Sequence, residues 1–175
     1  MKPLDIMAPA APAARQFRLV SVWRIAAPLE AVWAALVETE TWSRWWPNVR
    51  SVELLRDGGA DGLGSVRRIV WTTLLPYTLQ FEVEVVESIR HQQLRGRARG
   101  QLDGEGLWQL RARGGHTEVT YTWSVDVHKA WMRLLAPLLA PLFRWNHHGV
   151  MRQGGRGLAA HLQARLLEVR SERAA

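Results

Sequence analysis

The chain has 175 residues, 47% of them apolar and 22% charged, with a formal charge of +7 and a pI near 11.1. That suffices for one domain with a single core, and no apolar run approaches the ~20 residues of a membrane span. The absence of Cys excludes disulfides and thiolate metal sites and fits a reducing compartment.

Residues 1–15 are rich in Ala and Pro, and Pro3, Asp5, Pro9 and Pro12 interrupt any signal-peptide apolar segment. They are expected to be a disordered tail ahead of one domain over 16–170, in a cytoplasmic protein. Gln16 to Ile25 reads as a strand. Val32, Trp33, Leu36 and Val37 then form a helical stripe, with Pro28 suited to the start of that helix. In "TWSRWWPNV" (41–49), Trp42, Trp45 and Trp46 fall in a second short helical piece ended by Pro47. Trp46, preceding proline, is expected to be extended, with at least one of the three rings turned outward.

From Val49 to Val127 the period is two. Leu79, Phe81, Val83 and Val85 alternate with Thr78, Gln80, Glu82 and Glu84, and Val119, Tyr121, Trp123, Val125 and Val127 repeat the pattern. Such alternation marks an antiparallel sheet with one wet face. Gly114-Gly115 suits a two-residue hairpin turn that pairs Arg113 with His116 and Trp108 with Tyr121. For the preceding hairpin, a three-residue loop at Asp103 to Glu105 keeps apolar faces matched, setting Ala98 against Leu110 and Gly100 against Trp108. The inward row Leu94, Gly96, Ala98, Gly100 and Leu102 then has three small members in succession, which leaves space above the sheet. Strand "SVRRIVWTT" is ambiguous in facing. An inward Arg68 would be a buried cation suited to an anionic head group.

The C-terminal third is helical in pattern. Pro137 and Pro141 are expected to break its first part, with one long helix from about residue 143 through the end of the domain. Its buried stripe runs through His147, Val150, Met151, Gly154, Leu158 and Leu162. Gly149, Gly154, Gly155 and Gly157 each cost about 1 kcal/mol against Ala in a helix interior, so they are read as permitting close approach or leaving room. The apolar, Arg-flanked segment 131–145 is either packed or a lid in transient contact with a membrane surface.

The order strand, two helices, antiparallel strands and long final helix resembles the helix-grip fold of the SRPBCC superfamily, with its START-like, birch-pollen-allergen-like and polyketide cyclase/lipid-transport members. The resemblance covers roughly residues 16 to 168. It rests on "IAAPLEAVWAAL", "WSRWWP", "LPYTLQFEVE", "GEGLWQL", "TEVTYTWSV" and "WNHHGVMRQGGRGLAAHL". It implies an α+β fold in which a curved antiparallel sheet of about seven strands wraps the C-terminal helix over an apolar cavity. The expected ligand is a hydrophobic small molecule or lipid.

Trp45, Trp46, Gly96, Ala98, Gly100, Trp108, Tyr121, Trp123, His147 and Met151 are the candidate ligand contacts. Each tryptophan of the first cluster is either a wall of that cavity or a seal on the end of the core. His147 is either a satisfied buried histidine, a hydrogen-bond partner for a ligand, or the acid/base of a cyclase or dehydratase. No other catalytic constellation appears. No cofactor or metal is expected: adjacent His147 and His148 diverge by about 100° on a helix, and His161 lies about 21 Å further along. Nucleic acid is not expected as a partner, because basic residues are interspersed with acids. The arginines of "RGRARG" (95–100) face Glu82 and Glu84 on the neighbouring strand. A protein-interaction domain with no ligand, and any oligomeric state, stay open.

Overall fold

The computed structural model describes residues 16–74, 77–101, 103–126 and 130–173, with side chains outside the description at residues 130–140 and a few terminal or loop positions. Leu102 and Val127, both expected to point inward, lie outside the described residues.

Strand β1 (Gln16–Ile25) leads into α1 (Leu29–Val37), a 3-10 turn (Thr39–Thr41) and α2 (Trp42–Trp45). Strands β2 (Val49–Arg56), β3 (Val66–Thr72), β4 (Thr78–Ile89), β5 (Gln93–Gly100), β6 (Gly104–Arg113) and β7 (His116–Asp126) follow. Helix α3 (Ala130–His161) and β8 (Leu166–Arg173) complete the chain. All pairings are antiparallel, in the order β2-β3-β4-β5-β6-β7-β1-β8. This is the helix-grip arrangement, with α1, α2 and α3 on the sheet's apolar face.

Three expectations are corrected. The sheet has eight strands, because the final segment is β8 and not a continuation of the helix. Leu162 still donates to the Leu158 carbonyl, but Gln163 turns to φ 51°, and β8 then pairs Val169 with Trp23. The helix also runs unbroken through Pro137 and Pro141. Each proline removes a main-chain donor and crowds the carbonyl four residues back, at about 3 kcal/mol, and the helix continues on both sides of them.

The third correction is register. β6 and β7 pair through Arg113–His116 and Trp108–Tyr121, as the Gly-Gly turn predicts. β5 and β6 instead pair Leu94 with Trp108, Gly96 with Gly106 and Ala98 with Gly104. The slip of six residues keeps each side chain on its face, since it is an even number. It lengthens the loop to the residues between Ala98 and Gly104, where Gly100 has φ 126° and donates its N–H to Asp103 Oδ1 at 3.1 Å. The large residues now oppose each other toward one end, and Gly96 meets Gly106 in the middle. There the Tyr121 hydroxyl lies only 2.7 Å from where a Gly106 side chain would begin.

The core gathers on the inner face around tryptophan. Trp23, Trp42, Trp45, Trp46 and Trp108 are all buried, with Trp46 fully enclosed. The Trp46 ring meets Trp71 at 4.8 Å, Trp42 at 5.4 Å, Trp45 at 5.5 Å and Trp23 at 5.6 Å between centroids. Its backbone is extended before Pro47 as expected, but no ring of the 42–46 cluster turns outward. At 150–250 Å² each in general, such rings contribute a large share of buried apolar area.

Glycines seat the helix on these rings. A β-carbon on Gly154 would overlap the Trp46 indole, and one on Gly157 would overlap the Trp45 carbonyl oxygen. A β-carbon on Gly155 would press to 3.1 Å from Trp23. The glycine stripe thus serves close approach, and the Trp46 indole N–H donates to the Val150 carbonyl at 3.1 Å across the contact.

Candidate functional site

Between the sheet and α3 lies a cavity of about 400 Å³, within the roughly 300–1,000 Å³ usual for small-molecule sites. Trp46, Trp71 and Trp108 wall one part of it, Leu79, Phe81 and Val83 another, and Asn146, His147, Val150 and Met151 present the helix side. The wall is mostly apolar because β3, β4, β5, β6 and β7 turn alternate residues inward. The Gly96–Gly106 pair keeps the middle of the sheet thin.

Of the residues expected in a pocket, Trp46, Gly96, Trp108, Tyr121, Trp123, His147 and Met151 line this cavity. Trp45, Ala98 and Gly100 do not. Trp45 is buried behind Trp46, stacked on it and near His161 at 6.3 Å. Ala98 is buried in the core, against Gly104 and Val83. Gly100 is exposed at the end of its strand, opposite Phe81. Both losses follow from the slipped register, which moves the small-residue gap toward Gly96.

Polar groups are few and placed apart. Tyr121 stacks on Trp108 at 4.1 Å between centroids. Burial raises its phenol well above the ordinary value, so it stays protonated. His147 lies face-on to Tyr121 at 6.4 Å. Burial, assisted by the nearby His148, pushes its proton affinity down to about 3. Its Nε2 is enclosed with no hydrogen-bond partner among the described residues. A buried polar atom without a partner is costly and calls for an explanation, such as a bound group that completes it.

The cation of the cavity is Arg67, not Arg68. Arg68 faces outward and bonds to Glu53 at 3.0 Å and Glu82 at 3.3 Å. Arg67 lines the cavity and pairs with Glu40 at 2.9 Å while donating to Ser65 Oγ. Desolvation works to raise the Glu40 carboxyl, but its own backbone N–H and the Arg67 guanidinium hold it below the ordinary carboxylate value. The sequence carried the signal: Ile69 and Trp71 are the apolar members of β3, and alternation places Arg67 with them. Asn146 and Trp71 were likewise missed. Asn146 Oδ1 accepts the Leu74 N–H at 2.8 Å and ties the β3–β4 connection to α3.

On the outer face, Arg99 lies opposite Glu82 and Arg97 opposite Glu84. The ion pairs form elsewhere: Arg95 with Glu87 at 3.0 Å and Arg97 with Glu105 at 3.4 Å. The described residues hold no group of three His, Asp or Glu suited to a metal.

Residues 16–163 match the profile of a family described as polyketide cyclase / dehydrase and lipid transport. No curated protein matches the sequence. Among solved structures, TTHA0849 from Thermus thermophilus superposes with a TM-score of 0.68 at 20% identity, over 82% of this chain and 98% of that one. The Zhui aromatase/cyclase from Streptomyces sp. R1128 gives 0.71 at 14% identity, over 85% and 94%. A START superfamily protein from Mycobacterium smegmatis gives 0.69 at 16% identity, over 84% and 98%. At these identities the likeness is one of fold.

Proposed function

The chain belongs to the polyketide cyclase/dehydrase and lipid transport family, and we propose that it binds a hydrophobic small molecule or lipid in the cavity between the sheet and α3. The observation that carries this reading is the cavity itself: about 400 Å³, walled by tryptophans and aliphatic side chains, in a fold whose core is otherwise closely packed. Apolar contact would supply most of the affinity at about 25 cal/mol per Å² buried. Trp46, Trp108, Trp123 and Met151 provide that contact, and Gly96 provides the room. Tyr121, His147 and Arg67 would fix orientation through hydrogen bonds.

A cyclase or dehydratase using His147 as acid/base is the rival. Catalytic proton transfer works best with a group whose pKa lies near the working pH. An imidazole pushed down to about 3 has no proton to give near neutrality beyond its one neutral N–H. That favours His147 as a hydrogen-bonding residue of a carrier. A domain that binds only other proteins would have no use for the cavity.

The test is equilibrium binding read by tryptophan emission, since Trp46, Trp71, Trp108 and Trp123 all face the cavity. Fatty acids, quinones and aromatic polyketides are titrated in turn. Saturable quenching by one class supports the reading. No response from any class, with the fold intact, would falsify it.

A further inference from the structure

The mixing of acidic and basic residues along the chain stops at α3. No Asp or Glu occurs between Asp126 and Glu168, whereas Lys129, Arg133, Arg144, Arg152, Arg156 and Arg165 do. Elsewhere acids lie among the bases, and Arg24, Arg56, Arg67, Arg68, Arg95 and Arg97 each pair with a glutamate. Arg152 and Arg156 are exposed, and neither is in an ion pair among the described residues. The charge is felt locally. After burial, the nearby Arg144 and Arg152 are what disfavour protonation of His148.

The same helix exposes apolar surface. Trp145 is 57% exposed, more than any other large apolar residue described, and Leu142 and Phe143 are each 41% exposed. Leu142, Trp145, Arg152 and Arg156 recur at helical spacing and so share one side of α3. Phe143 also lines the cavity, as does Tyr77, itself 38% exposed. These two therefore mark the cavity's mouth. Leu74, in the same β3–β4 connection as Tyr77, is held to α3 by Asn146 and rests on Gly149.

The geometry points to a docking surface for an anionic lipid bilayer, formed by Leu142 and Trp145 with Arg152 and Arg156, with the cavity mouth at Phe143 beside Leu142 on the neighbouring side of the helix. Trp and Leu beside Arg on a helix face suit the headgroup region, where the apolar side chains enter the boundary and the guanidinium groups meet phosphates. An acidic protein would satisfy the arginines equally well. The exposed Leu142 and Trp145 favour the bilayer, which buries both next to the mouth through which an apolar cargo would pass. The contact is superficial, since no described helix is long and apolar enough to cross a membrane.

This surface gives the proposed cavity a membrane source, and the two can fail separately, because Trp145, Arg152 and Arg156 do not line the cavity. The test is sedimentation of the full chain with vesicles of phosphatidylcholine alone or with phosphatidylglycerol added. The protein should follow only the anionic vesicles and be released by salt. R152Q/R156Q should weaken partitioning by about thirtyfold, from the usual attraction of two basic residues to an anionic surface. W145S should also weaken it, with thermal unfolding and cavity titration unchanged in both. Wild-type protein that stays in the supernatant with anionic vesicles at low salt overturns the inference, including when it is retained by an acidic protein. So does partitioning that neither variant alters.

Discussion

Gly154 of α3 lies so close to the indole of Trp46 that a single added methyl would overlap the ring. The relation explains two unusual features of the sequence at once. A tryptophan-rich turn needs a partner surface without side chains, and a glycine-rich helix needs a flat surface to rest on.

Alanine at the helix glycines should therefore split by what each methyl meets. Gly157→Ala meets the Trp45 carbonyl oxygen, which is main chain, and Gly154→Ala meets a ring enclosed on all sides. Both should lose stability, by about 1–3 kcal/mol from overpacking set against about 1 kcal/mol of helix gain. Gly149→Ala meets only the tip of the half-exposed Leu74 side chain and should be near neutral. Urea unfolding of the three variants checks the order. Equal gains at all three would show that the glycines do not set the helix seat.

The buried imidazole makes stability depend on pH. The folded-state pKa of His147, about 3, lies below the ordinary 6.5, so protons favour the unfolded chain. Its contribution is fully present above about pH 6.5 and is lost as pH falls toward 3, at about 1.4 kcal/mol per pH unit for one proton. His148, also shifted down, adds to the loss with the same sign. Urea midpoints between pH 7 and 4.5 should fall steeply for wild type and less steeply for His147→Gln. Parallel slopes would mean that His147 titrates normally in the folded state.

The bond between Asn146 and the Leu74 amide ties the β3–β4 connection to the helix beside the mouth. Asn146→Ala should cost about 1 kcal/mol for the lost hydrogen bond and speed hydrogen exchange at the Leu74 amide. Amides in β6 and β7 should keep their protection. Unchanged exchange at Leu74 would show that other contacts hold this connection.

Much of this architecture is legible in residues whose pattern admits one reading. Strict alternation in β4 and β7 and the Gly114-Gly115 turn give faces and register together, and the "WWP" segment gives its own end. Elsewhere two readings compete. Leu158, Leu162, Leu166 and Val169 continue a helical stripe, so β8 looks like more helix, and no glycine or proline marks the turn at Gln163. The β5–β6 hairpin can slide by an even number of residues without exposing its apolar face, so facing is readable and register is not. Trp45 and Trp46 are neighbours in sequence, yet only Trp46 reaches the cavity. Which one does so depends on how α3 seats, a tertiary fact. Arg67 was recoverable from alternation with Ile69 and Trp71 in β3.

The most direct test of the cavity as a ligand site is the native mass of the purified protein beside that of Val83→Phe, which places a ring into the cavity over the space that Gly96 leaves open. The account predicts a stoichiometric apolar adduct on wild type, identifiable after extraction, and its loss or marked reduction in a folded Val83→Phe protein. Wild-type protein with no adduct, and none acquired from the ligand panel, would contradict it. So would an adduct that Val83→Phe retains in full.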